Sequence, residues 1–186
     1  MSKNKNLKPN MTEQQPAVSL LREQLQQAHG WLEATMADVT PTLAHDTPPG
    51  KPNPIGAQYG HVLTAEDMFV NAVIGGGAPL MASTFAGKTG MSESMPLNPG
   101  WDEWARRVQI DLPAIREYAQ AVYAATDAKL IGMVDEDLSR EVILSFGGEW
   151  PTTAGQLLNN LLLNAYSHAG EISCLKGMHG QRGYPA

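Results

Sequence analysis

The sequence predicts an all-α protein, a four-helix bundle with long crossover loops. Three observations carry this. Apolar residues recur at steps of three and four in several long segments. Clusters of proline and glycine separate those segments. Only one stretch, 137–150, reads as extended. A chain of 186 residues suits one domain with a sizeable core. Residues 1–15 read as a disordered leader and 16–186 as a single helical domain.

The first helix is predicted over 16–39. Val18, Leu21, Leu25, Ala28, Leu32 and Val39 line one face at alternating steps of three and four, which is a bundle seam. Thr40-Pro41 stops it, and a loop from Pro41 to Lys51 carries Pro48-Pro49-Gly50. Asn53 is expected to cap the second helix, with Pro54 at its first position, where a missing N–H is harmless. That helix runs past His61 and Phe69 to Ile74 and ends at Gly75-Gly76-Gly77. Within 78–100 a short helix is expected near Leu80 to Phe85.

A third helical region opens near Trp101. Trp101, Trp104 and Val108 share a face, as do Leu112, Ile115, Tyr118 and Val122. Pro113 interrupts the pattern, so a fresh start capped by Asp111 is expected. In the extended stretch, Val142-Ile143-Leu144 forms a strand or an ordered crossing, turned by Gly147-Gly148. The last helix begins at Thr153, where Thr153-x-x-Gln156 is a capping box. It runs to about Lys176, with Gly177 as the residue beyond its end.

The net charge is −6 and apolar residues make up 42%. That balance argues against a nucleic-acid binder, which shows a basic face, and against attraction to anionic membranes. The only basic cluster is Lys3, Lys5 and Lys8. No apolar run reaches transmembrane length, and no apolar signal segment follows the first residues. A single cysteine, Cys174, excludes an internal disulfide framework and fits a reducing cytoplasm.

His168 is the most informative residue. It sits among leucines and alanines on the last helix, where an imidazole needs a partner. Asn164 lies one turn earlier on the same face. His61 lies on the inner face of helix two. Histidines projecting inward from two facing helices are how bundles build metal sites, and neutral imidazole suits zinc, nickel, copper or iron. The competing reading is a pair of core histidines bonded to backbone or buried water. His29, expected to be partly exposed, and His45 and His179 are weaker candidates. Cys174 lies about 120° around the helix from His168, so the two make no nucleophile–base pair, and a buried structural thiol is expected. Glu66, Asp67 and Glu171 could each act as a proton acceptor or ligand, with a solvated helix face as the default reading. Trp31, Trp101, Trp104 and Trp150 read as packing anchors.

Two stretches carry a family resemblance. Asn53-Pro54-Ile55-Gly56-Ala57-Gln58-Tyr59-Gly60-His61-Val62-Leu63-Thr64-Ala65-Glu66-Asp67 resembles the second helix of the DinB-like (DNA-damage-inducible B) proteins, with its metal-ligand histidine. His168-Ala169-Gly170-Glu171-Ile172-Ser173-Cys174-Leu175-Lys176-Gly177 is similar to that family's His-Arg-Gly-Gln-Ile helix. The tail Gly180-Gln181-Arg182-Gly183-Tyr184-Pro185 also fits, and the likeness spans 17–185.

The resemblance implies a DinB/YfiT-like metalloenzyme architecture, often dimeric, with a divalent metal held by three histidines. Carried over, two of these are His61 and His168, and the third falls on Asn164. The ligand set implied here is His61, Asn164 and His168, with zinc or nickel as the cofactor. Asn164 instead could hydrogen-bond His168 and fix its tautomer without a metal. The function implied is a divalent-metal-dependent thiol S-transferase or hydrolase. The alternative is a non-catalytic bundle with a vestigial site that binds a small apolar ligand or a partner protein. The expected partners are a second copy of the chain and a small molecule or thiol. No nucleic acid or membrane is expected, and the compartment is the cytoplasm. A pocket lined by Tyr59, His61, Asn164 and His168 would argue against a purely structural role.

Overall fold

The computed structural model describes residues 15–96, 100–145 and 148–185. The expected leader over 1–15 falls almost wholly outside them. The described residues form six α-helices and one antiparallel hairpin, so the protein is mostly helical, as its apolar periodicity predicts.

Helix α1 spans Ala17–Met36 and buries Val18, Leu25, Ala28, Leu32 and Met36 along one stripe. Its N-terminus has no local side-chain cap, because Pro16 stands at that position. The carboxylate of Asp135 supplies the acceptor from a distance, taking Ala17 N and Val18 N at 3.0 Å each. The helix ends three residues before the expected Val39. A short helix α2, Pro41–His45, occupies the start of the expected loop. Thr40 Oγ1 accepts from Leu43 N at 3.2 Å, and Pro41 takes the first turn, so the pair that stops α1 also starts α2.

Helix α3 spans Ile55–Asp67 and continues as a π-helix over Met68–Ile74. Pro54, rather than Asn53, holds the capping position. Gly75 N donates to Val70 O at 2.9 Å, a five-residue step that marks the wider helix. The chain passes close to its neighbours at Gly56. A Cβ there would lie 2.9 Å from Ile110 Cγ1 and 3.0 Å from Ala44 O.

The crossover after Ile74 contains one 3-10 turn, Leu80–Ala82, shorter than the helix expected to reach Phe85. Gly90 fastens the crossover to the start of the next long helix. It has φ +79°, its carbonyl accepts Asp111 N at 2.8 Å, and a Cβ would lie 2.3 Å from Ile115 N. Helix α4 spans Trp101–Arg107 and helix α5 spans Leu112–Ile131. The fresh start predicted around Pro113 is present, with Asp111 Oδ1 accepting from Ala114 N at 3.1 Å.

Strands β1 (Glu141–Ser145) and β2 (Glu149–Thr153) pair antiparallel, with Ile143 opposite Pro151. The second strand was not expected from the sequence. Its Pro151 is tolerated because a two-stranded ribbon leaves one edge free of ladder bonds. Part of the expected Gly147-Gly148 turn lies outside the described residues. Trp150 is 62% exposed and so is not the packing anchor the sequence suggested.

Helix α6 spans Ala154–Met178, opened by the predicted capping box. It runs through Gly177, and Gly180, at φ +74°, takes the left-handed position expected of Gly177. Helices α1 and α3 each pack against both α5 and α6. Leu157, Leu158 and Leu161 are buried, whereas Leu163 is 56% exposed.

Candidate functional site: a histidine pair between α3 and α6

The packing of α3 on α6 brings His61 and His168 together across 107 positions of chain. Their ring centroids lie 5.0 Å apart in an edge-to-face arrangement. Buried Ala165 and Ala169 flank the α6 contributors and keep that helix slim where it meets the core. Burial, and the His168 ring beside it, push the His61 imidazole down to about 4, against a smaller opposing pull from Asn164. His61 is therefore neutral at pH 7, with a lone pair free on one nitrogen. The structure thus joins all three residues singled out in the sequence.

Asn164 acts on His61 and not, as one sequence reading had it, on His168. His168 Nδ1 instead faces Glu171 Oε2 at 2.8 Å and Gln58 Oε1 at 3.3 Å. Both neighbours are acceptors, so Nδ1 carries the proton and donates it to Glu171, and in the neutral ring Nε2 keeps the lone pair. Glu171 is exposed, as a solvated helix face requires, and is at the same time the acceptor for His168.

The crossover closes over the pair. Met95 Sδ lies 3.3 Å from His61 Nδ1, and the Trp101 ring packs on His61 with centroids 4.8 Å apart. Trp101 in turn stacks on Trp104 at 5.2 Å. Sequence reasoning missed Met95, because no helical period ties it to His61. Tyr59 was expected to line this site, but two residues along a helix is about 200° of rotation. It is fully buried on the opposite side and donates to Glu33 Oε1 at 2.6 Å.

That opposite side holds a polar network. Glu66 and Asp67, read from the sequence as solvated, are 1% and 0% exposed. Glu66 Oε2 lies 2.9 Å from His29 Nε2, and its Oε1 accepts from Thr126 Oγ1 at 2.6 Å. His29 is buried rather than partly exposed and stacks on Tyr123 at 3.9 Å. Tyr123 donates to Glu33 Oε1 at 2.8 Å, joining Tyr59 on the same oxygen. Burial first, then the Glu33 charge, raises the Tyr59 hydroxyl above its ordinary range. Asp67 accepts from four donors: Asn71 Nδ2, Leu80 N and Met81 N at 2.8 Å each, and Tyr118 Oη at 2.7 Å. These partners come from α1, α5, the π-helix and the crossover, so the buried carboxylates tie those elements to α3 rather than face water.

The remaining candidates take structural places. His45 ends α2, with Nδ1 at 2.7 Å from Pro41 O and Nε2 accepting Ile110 N at 2.8 Å. His179 Nδ1 lies 3.6 Å from Asp46 Oδ2. Cys174 is exposed, against the expectation of a buried thiol.

The donor set at the pair is two imidazoles and one carboxamide. Among the described residues, no group of three or more His, Cys, Asp or Glu is placed to hold a metal ion. An amide oxygen is a neutral donor, so this set fits an open, weak divalent site better than a closed three-histidine one. Asn164 Nδ2 is buried and has no hydrogen-bond partner. A buried unsatisfied donor beside two imidazoles fits a polar centre that takes a further group.

Among solved structures, the chain is similar to a conserved protein from Enterococcus faecalis, with a TM-score of 0.73 and 21% identity. The match covers 90% of this chain and 100% of that one. At that identity the likeness shows a shared fold. No curated protein matches the chain. The DinB superfamily model matches residues 24–172, which run from within α1 through His61 to His168, and the chain belongs to that family.

Proposed function

We propose that α1, α3, α5 and α6 form a DinB-type four-helix bundle in which His61, His168 and Asn164 hold a divalent ion, zinc or nickel. The ion serves thiol transfer or hydrolysis on a small substrate. The observation that supports this most is the convergence of two imidazoles from facing helices, their ring centroids 5.0 Å apart. When bound, the ion lowers the pKa of a thiol or water and so supplies a nucleophile at neutral pH.

The protein's own groups prepare the centre. Glu171 accepts the Nδ1 proton of His168, which orients the ring and leaves Nε2 as its binding nitrogen. Met95 occupies Nδ1 of His61 and so directs the other nitrogen to the centre. Trp101 covers the His61 ring and excludes water from that side. Glu171 and Met95 are positioning residues, and an ion held by this incomplete set would leave room for the substrate beside it.

The test is the metal content of untagged protein beside that of His168→Ala. Near-stoichiometric zinc or nickel that disappears in the variant supports the reading. Absence of metal after incubation with excess divalent ions overturns it. That outcome selects a second reading, favoured by the carboxamide at position 164: a non-catalytic bundle that binds a small apolar ligand or a partner protein at a vestigial site.

A further inference from the structure

A second recess borders the histidine pair. It lies between residues 51–53, the first turn of α3 and the last turns of α6, and its volume is about 400 Å³. That is within the size range of small-molecule sites. Lys51, Asn53, Gln58, Glu171, Cys174 and Met178 are among its walls. Two of these, Gln58 and Glu171, are the groups that face His168 Nδ1.

The hydrogen-bonding capacity of the walls is only partly used. Gln58 is engaged at both ends, since its Nε2 donates to Asn53 O at 3.0 Å and its Oε1 faces His168. Asn53 Oδ1 is buried and has no hydrogen-bond partner. A buried acceptor without a donor is costly to the fold, so a donor arriving there is favoured. Lys51 is exposed and has no carboxylate partner among the described residues. The recess therefore offers one ammonium in want of an anion, and the Asn53 amide in its wall, whose Oδ1 is closed off and unpartnered, supplies an acceptor once it turns toward an N–H. Glu171 adds a carboxylate whose second oxygen can meet a cation. A larger recess beside His45 and Ser92 differs, because both His45 nitrogens are engaged and Ser92 Oγ already accepts Gln109 N at 2.9 Å.

We infer that this recess is a binding site for an amino-acid-like or short peptide-like zwitterion. Its carboxylate pairs with Lys51, and its N–H groups donate to Asn53 Oδ1 and Glu171. The occupant shares Glu171 and Gln58 with His168, so it sits against the histidine pair and binding is felt at that ring. The inference needs no metal at His61 and His168 and stands or falls separately from the proposed chemistry.

Cys174, in the wall of the recess and exposed, is the reporter. The probe is glycylglycine, with glycinamide as the analogue lacking a carboxylate. Alkylation of Cys174 by iodoacetamide is timed with and without each, before and after treatment with a chelator. At about ten times its dissociation constant, glycylglycine is expected to slow alkylation roughly ten-fold, the factor 1 + [L]/Kd. Glycinamide protects far less, and Lys51→Met removes the protection by glycylglycine without altering the near-ultraviolet circular dichroism. The protection persists after chelation. An alkylation rate unchanged by saturating glycylglycine overturns the inference. So does protection that survives Lys51→Met, or equal protection by glycinamide.

Discussion

Tyr118→Phe isolates one hydrogen bond in the buried network and fixes its size. The Tyr118 hydroxyl donates to Asp67 Oδ2 at 2.7 Å, and both residues are fully buried. The substitution removes one oxygen and keeps the ring, including its contact with Phe85 at 5.5 Å between centroids. Packing is conserved, so the loss is that of the bond itself. Hydrogen bonds to carboxylates contribute about 1.5–3 kcal/mol, and that is the destabilisation expected. Asp67→Ala leaves all four of its donors without their acceptor, Leu80 N and Met81 N among them, and on the same scale costs on the order of 4 kcal/mol. The double variant is less destabilised than the sum by about 1–2 kcal/mol, since either change alone removes the shared bond. Urea denaturation at neutral pH with a constant m-value is the assay. A Tyr118→Phe loss below about 0.5 kcal/mol, or strict additivity in the double variant, refutes the account of Asp67 as the hub of that network.

Asn164→His supplies the third imidazole and is expected to tighten zinc or nickel binding at least about ten-fold in competition with a chelator; unchanged affinity removes Asn164 from the ligand set. Acid sensitivity follows from Asp38, Asp127 and Asp135, each held below its ordinary value of 3.8, by Lys176, by Arg22, and by the Val18 and Ala17 amides respectively. Their folded pKa values are depressed, so their stabilisation is complete above about pH 5 and is lost as pH falls through 3.8 and below; a urea midpoint constant from about pH 5 to pH 3 contradicts this. Gly90→Ala meets Ile115 N at 2.3 Å in a left-handed backbone, so a loss of at least about 2 kcal/mol is expected by thermal unfolding.

Helix starts were legible in the sequence wherever a cap and a periodic stripe agreed. Thr153 with Gln156, and Asp111 before Pro113, gave both the position and the start, because capping is a contact across three residues. Strand β2 was not legible, since Trp150-Pro151 has no alternating pattern and is ordered by its pairing with β1. At the site, the depth and face of His61, Asn164 and His168 followed from helical spacing alone. Their surroundings did not. Met95 comes from a crossover without a period, and Trp101, whose face with Trp104 and Val108 was legible, opens α4 and meets His61 only through the fold. The partners that neutralise Glu66 and Asp67 lie 13 to 60 positions away, apart from Asn71 one turn on. A carboxylate in a helix reads as solvated until such remote donors are known.

The π-helix over Met68–Ile74 carries a consequence for how this family can vary in length. A π-turn amounts to one residue inserted into an α-helix. The wider turn absorbs that residue locally, so the helix leaves Ile74 in nearly the direction a plain α-helix one residue shorter would take. Ile74 O, which accepts from Arg140 Nη2 at 2.7 Å, and the Leu80 and Met81 amides on the Asp67 carboxylate therefore keep their places when one residue is removed here. The same residue forced into α geometry would instead rotate that exit by about 100° and turn the segment that carries Met95 away from His61. A change of one residue in length is thus tolerated at this point without cost to the histidine pair.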